Sequence, residues 1–361
     1  MNVKTRALAV VLATLILSWF SLEARAQSLG AAFSQAGTPA AKGKVYSFDK
    51  IADGVYYATS SGPMATGGNH PIIVNESDVF LVDDGTTPAA ARALLEDLKL
   101  ITNKPVRWVV NTHFHYDHTD GNSVFGPDVQ IIAHEYVRHA IADTDVLHRE
   151  PFLTSITNMP IQVEALKKQI ANEKDAGQRA TLEKQLATTQ ADWEQLKSIK
   201  PTPPTMTYSS KMTLFSGQRE IQLLFLGRGH TQGDTVVYLP KERIVCTGDL
   251  MESRLAYMGD GMFDEWITTL EALKKLHFDT VLPGHGVPFH GKALITAYQA
   301  YLKDLTTQVA ALRKQGLSAD QAAQKVDLTS HKTDFPQIDG PGADLRGVRR
   351  MYQWMDERAK P

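Results

Sequence analysis

Six consecutive residues, His113-Phe114-His115-Tyr116-Asp117-His118, decide how this chain is interpreted. They follow the apolar run Val106–Val110, which the pattern predicts to be a buried strand. Three imidazoles and a carboxylate within six residues are unfavourable to bury unless they bind something. Residues i and i+2 of an extended segment point to the same side, so His113 and His115 can bind one metal ion together. Asp117 and His118 lie at the predicted turn into a helix and can face a second ion.

Three further candidate ligands each follow a predicted strand and stand beside glycine. They are His230 in the segment 227–234 (GRGHTQGD), Asp249 in Thr247-Gly248-Asp249, and His285 in Pro283-Gly284-His285-Gly286. Glycine at such positions lets the backbone approach a site closely. An isolated loop histidine would need no explanation, but this ordered set of nitrogen and oxygen donors predicts a site for two metal ions.

The HxHxDH signature and the downstream His, Asp and His resemble the metallo-β-lactamase-fold hydrolase superfamily, with its glyoxalase II-like and β-lactamase-like branches. The resemblance covers most of residues 45–361, and Val82-Asp83-Asp84-Gly85 resembles the first motif of that family. It implies that Asp249 bridges two zinc ions and that Asp83 orients a ligand without binding metal itself. The other implied ligands are His113, His115 and His230 for the first zinc, and Asp117, His118 and His285 for the second. Iron or manganese is the alternative to zinc, because His/Asp sites accept several metals.

The same resemblance implies an α/β fold: an αββα four-layer sandwich with two mixed sheets back to back, helices outside, and the site at one edge. It also implies a hydrolase in which a hydroxide held between two zinc ions attacks a carbonyl. Asp117 is expected to move the proton. Tyr257 is a candidate substrate contact because some family lactonases and thioesterases use a tyrosine in this region. His70 is another, because it ends a glycine-rich loop, 67–70, that could overhang the site. A packing or surface role is the alternative for Tyr257, and a flexible loop is the alternative for the segment with His70.

The expected substrate is a small molecule with an ester, lactone, thioester or cyclic amide carbonyl. One alternative is a true β-lactamase that opens β-lactam rings in the periplasm, although the bridging Asp249 is typical of the thioesterase and lactonase branches. An alternative of another class is a metal-dependent oxidoreductase, or a metal-binding protein without hydrolytic turnover. The complete set of seven ligands disfavours this class.

Composition and charge exclude further classes of function and of site. The chain has 361 residues, of which 43% are hydrophobic and 22% charged, as in globular proteins. Lys and Arg number 38 against 40 Asp and Glu, so there is no basic surplus for binding nucleic acid. The single cysteine, Cys246, excludes an intrachain disulfide and any site with several cysteine ligands. It precedes a Gly-Asp pair within a predicted strand, so we expect a small buried residue.

The amino terminus has the three parts of a secretory signal. Lys4 and Arg6 precede the apolar run 7–20, and Ala24-Arg25-Ala26 supplies small residues at a cleavage site. The run is shorter than the ~20 residues of a spanning helix, so no stable membrane anchor is expected after cleavage. The signal peptide 1–26 predicts a periplasmic or secreted bacterial protein. Residues 27–44 are small, polar and interrupted by Gly and Pro, which favours a flexible leader.

Residues 45–361 are expected to form one domain with a helical insertion at 150–205. Val163, Leu166 and Ile170 recur at helical spacing, as do Leu182, Leu186, Trp193 and Leu196, with a turn near 175–177. The pattern predicts a hairpin of two amphipathic helices that Pro201, Pro203 and Pro204 end. It could serve as a lid over the site or support a homodimer.

The remaining elements follow from periodicity and caps. Ser318-Ala319-Asp320-Gln321 resembles a capping box. Strands are predicted at 54–59, 72–74, 79–82, 106–110, 212–215, 220–226, 235–239, 243–247 and 280–282, and helices at about 88–100, 263–276, 292–314 and 347–358.

Overall fold

The computed structural model describes residues 38–359. The predicted signal peptide and residues 27–37 of the predicted leader lie outside the described residues. The strands are β1 Thr38–Lys42, β2 Tyr46–Ala52, β3 Val55–Ser60, β4 His70–Val74, β5 Val79–Val82, β6 Val106–Val110, β7 Gln130–His134, β8 Met206–Tyr208, β9 Lys211–Ser216, β10 Arg219–Phe225, β11 Thr235–Leu239, β12 Ile244–Gly248, β13 Thr280–Pro283 and β14 Phe289–His290.

The helices lie between and after these strands. They are α1 Pro88–Leu98, α2 Tyr116–Thr119, α3 Glu135–Asp143, α4 Phe152–Asn172, α5 Ala176–Lys197, α6 Phe263–Lys274, α7 Ala293–Lys314, α8 Ala319–Lys325 and α9 Leu345–Ala359. The capping box predicted at Ser318 is present, with reciprocal bonds to Gln321. Within the described residues, no helix combines the length and the apolar character that crossing a bilayer requires.

Two mixed sheets form the centre of the molecule. The first has eight strands in the order β1 to β8, antiparallel up to β5 and parallel from β5 to β8. The second has six strands in the order β14-β13-β12-β11-β10-β9, with β12 and β13 parallel. The parallel pairs β5–β6 and β12–β13 matter most for function, because their carboxyl ends lead into predicted ligand segments.

The side chains of β5 show how the layers are built. Phe80 and Val82 join the apolar core between the two sheets, while Val79 and Leu81 pack against α1 on the outer face. This is the alternation expected of a strand that is covered on both sides. The second sheet repeats the arrangement: Val245 of β12 packs toward α6 and α7, whereas Cys246 faces the inter-sheet core. The predicted αββα sandwich is therefore confirmed, and Cys246 is buried as expected.

The predicted helical hairpin is present as α4 and α5, joined by three residues. The predicted turn near 175–177 lies slightly earlier, because Asp175 caps α5 through a bond from the Gln178 amide. At the root of the hairpin, Phe152, Leu196 and Ile199 form a small buried cluster. Tyr116 of α2 packs against this cluster, so the root contacts the segment that follows β6.

The flexible leader predicted over 27–44 is wrong for its last residues. Residues 38–42 form the edge strand β1, paired antiparallel with β2. The partner lies later in the chain, so the small and polar composition that suggested flexibility could not reveal the pairing. The sequence patterns also left β7 and α3 unassigned.

Gly248 ends β12 and permits a close contact beneath the predicted site. Its φ is +50°, in the left-handed region that favours glycine. A Cβ added there would lie 2.4 Å from Thr112 Oγ1 and 2.6 Å from Thr112 Cβ. Only glycine therefore lets the segment after β6 approach the segment after β12.

We expect Gly248→Ala to lower the free energy of unfolding by about 2–4 kcal/mol, because backbone strain and overpacking act together. Gly291→Ala is the matched control, since φ is +72° there but no atom lies within 4 Å of the added Cβ. Strain alone should lower its stability by about 1–2 kcal/mol. Urea denaturation measures both. Equal losses in the two variants would show that the contact with Thr112 does not matter.

Candidate metal centre

Four loops, each following a strand, bring all seven predicted ligands together. The ligand atoms of His113, His115, His230 and Asp249 lie within 4.8 Å of one another. The ligand atoms of Asp117, His118 and His285 form a second set with the same spacing. We call these the first and second donor sets.

The first donor set is almost fully buried. His115 Nδ1 lies 3.1 Å from His230 Nε2, and the rings of His113 and His230 are edge-on with centroids 4.8 Å apart. His113 Nε2 is buried and has no hydrogen-bond partner within residues 38–359. A buried polar atom without a partner is unfavourable, and a metal ion bound among these nitrogens would satisfy it.

The second donor set is less enclosed. His285 Nε2 lies 3.0 Å from Asp117 Oδ2 and 3.2 Å from His118 Nε2. Asp117 keeps 16% of its side chain exposed. Two imidazoles and one carboxylate facing each other provide the nitrogen and oxygen donors that zinc prefers.

Asp249 belongs to the first donor set and also faces the second. Its carboxylate oxygens are 3.8 and 3.7 Å from the Nε2 atoms of His113 and His230 in the first set. They are 3.4 and 3.5 Å from the Nε2 atoms of His118 and His285 in the second. A single buried carboxylate thus faces four imidazoles, two from each donor set.

Burial and charge give His113, His230 and Asp249 the protonation states that metal binding requires. For His118 and His285, the nearby carboxylates outweigh burial and raise the pKa. Burial lowers the pKa of His230 to about 3 and that of His113 well below its ordinary value, so both imidazoles are neutral. Burial disfavours the ionised Asp249 carboxylate, but the nearby His285 and His118 outweigh it and lower its pKa. Metal ligands are neutral imidazoles and charged carboxylates, so the residues of the first donor set fit a metal ion as they stand. A metal ion in the second set would displace the protons of His118 and His285.

Asp83 holds His118 of the second donor set in place without belonging to that set. Its carboxylate accepts hydrogen bonds from the Thr112 amide at 2.7 Å and the Thr112 hydroxyl at 2.8 Å. Its Oδ2 atom also lies 2.8 Å from His118 Nδ1. These bonds leave His118 Nε2 to face the donor set, as expected of a carboxylate that orients a metal ligand.

The glycine-rich loop before β4 packs directly on the second donor set. A Cβ added to Gly68 would lie 2.8 Å from His118 Cε1, and one added to Gly67 would lie 2.6 Å from Asp117 Cβ. The backbone N–H of Asn69 donates to the Gly284 carbonyl at 2.7 Å. The expectation that this loop could overhang the site is therefore met by residues 67–69.

His70 itself is not a substrate contact, and that prediction is wrong. The residue begins β4, is fully buried, and has Nδ1 3.1 Å from the Asp83 carbonyl oxygen. Burial and the neighbouring His118 lower the pKa of His70 to about 3. His70 packs beneath the site because the loop ends one residue earlier than the sequence suggested.

Tyr257 lies beside the first donor set. Its ring centroid is 5.5 Å from that of His115 and 6.4 Å from that of His230. The Tyr257 hydroxyl is buried without a hydrogen-bond partner in the described part of the chain. Burial and the nearby Asp260 and Glu150 carboxylates raise its pKa, which keeps the hydroxyl protonated.

Two carboxylates near the donor sets escaped the sequence analysis. Asp260 Oδ2 lies 3.0 Å from His115 Nε2. Glu252 is almost fully buried, and burial together with Asp249 raises its pKa to about 8. Gly259-Asp260-Gly261, an acidic residue between glycines close after Asp249, was a signal that could have drawn attention to Asp260.

Comparisons with known proteins agree with this geometry. A family model described as the metallo-beta-lactamase superfamily matches residues 67–150 and 151–285. The chain is 23% identical over 294 residues to a linear primary-alkylsulfatase of Pseudomonas sp., covering 76% of this chain and 53% of the relative. It is 24% identical over 269 residues to the alpha subunit of a 2,4-dinitroanisole O-demethylase of Nocardioides sp., covering 73% and 66%. The chain thus spans between half and two thirds of these relatives.

A solved structure shows the same fold. The sec-alkylsulfatase Pisa1 from Pseudomonas sp. aligns with a TM-score of 0.58 at 18% identity, covering 88% of this chain and 50% of that one.

We expect Asp83→Asn to lower the free energy of unfolding by about 2–4 kcal/mol. The asparagine amide keeps one acceptor oxygen but replaces the other with an NH2 group. That group faces donors from which a carboxylate oxygen now accepts a hydrogen bond, so a buried donor is left unpaired. Asp53→Asn is the control: Asp53 is fully exposed and 3.6 Å from Lys50, so its replacement should change stability by no more than about 0.5 kcal/mol. Urea denaturation of the two variants decides the question. Similar stabilities would contradict the supporting role of Asp83.

Proposed function

The chain belongs to the metallo-beta-lactamase superfamily of metal-dependent hydrolases, and we propose that it is an exported dinuclear zinc enzyme that hydrolyses a small carbonyl compound. The substrate classes are esters, lactones, thioesters and cyclic amides. The position of the Asp249 carboxylate carries the proposal, because it faces imidazoles of both donor sets and could therefore be shared by an ion held in each. The seven donors would hold one zinc ion in each set.

Zinc, when bound, supplies Lewis acid chemistry that makes water a nucleophile at neutral pH and polarises a substrate oxygen. The chain's own residues hold the ions, orient the substrate and move the proton. Asp117 suits the proton transfer. Burial disfavours its charged form, but His118 and His285 lower its pKa, so it is a carboxylate able to accept a proton at Oδ2. It is also more exposed than Asp249, at 16% against 5%.

Tyr257 suits the role of a hydrogen-bond donor to the substrate. Its hydroxyl stays protonated and has no partner among the described residues, and its ring contacts the first donor set. A donor in this position can stabilise the negative charge that develops on a carbonyl oxygen in the transition state.

Sulfate ester hydrolysis is the second candidate. The observation that favours it is the extent of similarity: a primary-alkylsulfatase covers 76% of this chain and a sec-alkylsulfatase structure covers 88%. Both ester classes therefore belong in the same assay.

We expect the zinc-loaded protein to hydrolyse one of the carbonyl substrates with kcat/KM of at least ~10⁴ M⁻¹s⁻¹. The assay compares a nitrophenyl ester, a lactone, a thioester, a chromogenic cephalosporin and an alkyl sulfate. Tyr257→Phe should lower kcat by about 10²-fold because one donor to the developing charge is lost. Turnover of the alkyl sulfate alone would replace the carbonyl proposal with the second candidate.

Tyr352→Phe is the matched control for this assay. Tyr352 lies on α9, away from the donor sets, and its hydroxyl donates to the Leu317 carbonyl at 2.8 Å. Its removal should leave kcat unchanged. Equal activities of the Tyr257 and Tyr352 variants would contradict the role assigned to Tyr257.

Chelation is expected to abolish hydrolysis, and zinc to restore it with two ions per chain. Loading should also raise the unfolding midpoint, since zinc binds the folded state. His285→Ala should reduce the zinc content to one ion, whereas His139→Ala should leave two, because His139 is exposed and pairs with Asp143 on α3, outside the donor sets. Elemental analysis and thermal denaturation give both readouts. Full turnover in a metal-stripped sample would contradict the mechanism.

A further inference from the structure

The two nitrogens of His115 are used differently. Nδ1 faces the first donor set, 3.1 Å from His230 Nε2, while Nε2 lies 3.0 Å from Asp260 Oδ2. The side chain of His115 is only 2% exposed and that of Asp260 16%. A carboxylate on one ring nitrogen fixes the tautomer and turns the other nitrogen toward the metal.

Asp260 is itself held in place by Arg149. The Arg149 Nη2 atom donates to Asp260 Oδ1 at 2.7 Å, and the guanidinium carbon lies 4.8 Å from the centre of the Phe114 ring. The Asp260 carboxylate therefore connects a candidate metal ligand to an arginine outside the donor sets.

Arg149 lies three residues before α4, at the root of the helical hairpin. Two other root residues contact the segment that carries the ligands: Ser155 Oγ is 2.7 Å from the Tyr116 hydroxyl, and the Phe152 ring is 5.5 Å from the Tyr116 ring. Residues 149–155 therefore contact the positions on both sides of His115 directly, and His115 itself through Asp260.

We propose that Asp260 and Arg149 are positioning residues that couple the root of the hairpin to the first metal position. Asp260 holds His115 with Nδ1 toward the first donor set, and Arg149 holds Asp260 while anchoring the root of α4 on Phe114. The inference rests on the proposed dinuclear function. Coupling is reciprocal: displacement of the root weakens metal binding in the first set, and metal in the first set orders the root.

The first test is zinc affinity, measured by competition with a chromophoric chelator. Asp260→Asn and Asp260→Ala should each lower the affinity for one of the two zinc ions by about 10- to 100-fold and leave the affinity for the other unchanged. Arg149→Ala should lower the affinity for the same ion. Arg149→Lys, which keeps the positive charge, should retain part of that affinity. The visible spectrum of the cobalt-substituted protein should change in the Asp260 variants, because the geometry around one ion changes.

Asp143→Asn provides a matched control. Asp143 also pairs with a histidine, Nδ1 of His139 at 2.9 Å, but both side chains are more than half exposed and lie outside the donor sets. This variant should keep both zinc affinities and the cobalt spectrum. If Asp260→Ala does not fold, the nearly isosteric Asp260→Asn decides the outcome.

The second test is hydrogen exchange of the segment 149–156 with and without zinc. Zinc should slow exchange there in the wild-type chain and should lose this effect in Asp260→Asn. Wild-type affinities and wild-type protection in the Asp260 and Arg149 variants would overturn the coupling while leaving the dinuclear centre intact. A wild-type chain that binds no zinc would instead refute the proposed function, and with it this inference.

Discussion

One buried carboxylate sets the requirements for the rest of the site. Asp249 is 5% exposed and lies within 4 Å of imidazole nitrogens from both donor sets. Such a group is stable in the interior only beside positive charge, either protonated histidines or a metal ion. The structure divides the imidazoles accordingly: burial keeps His113 and His230 neutral, while the carboxylates around His118 outweigh its burial and raise its pKa. Two metal ions beside Asp249 would supply the positive charge that its carboxylate requires and would bind both groups of histidines.

The scaffold meets this requirement by ending strands of both sheets at the same place. The segments after β6, β12 and β13 approach so closely that glycine is needed, as at Gly248 against Thr112 and at Gly284 against Asp249. The donors thus depend on backbone contacts made where apolar layers already fix the strands. The hairpin is attached to this rigid edge through its root, whereas most of its length is exposed.

The sequence predicted the parts of the site that follow directly from strand ends. Each ligand comes soon after an apolar run, and His230, Asp249 and His285 stand beside glycine, so the seven donors could be inferred from local patterns. The sandwich was implied by the family resemblance. Asp260 was missed because it does not directly follow a strand and because its contact with His115 spans 145 positions of sequence, which no local pattern shows. His70 was assigned to the wrong side because a glycine-rich segment does not show where the following strand begins. The edge strand β1 depends on pairing with β2, which its own composition does not reveal.

The most direct test of the account is anomalous X-ray diffraction from crystals of the zinc-loaded protein, recorded on both sides of the zinc absorption edge. The account predicts two zinc peaks per chain, one within each donor set, with the Asp249 carboxylate in contact with both. A single peak, or peaks away from these seven side chains, would contradict the dinuclear centre on which the proposed chemistry depends.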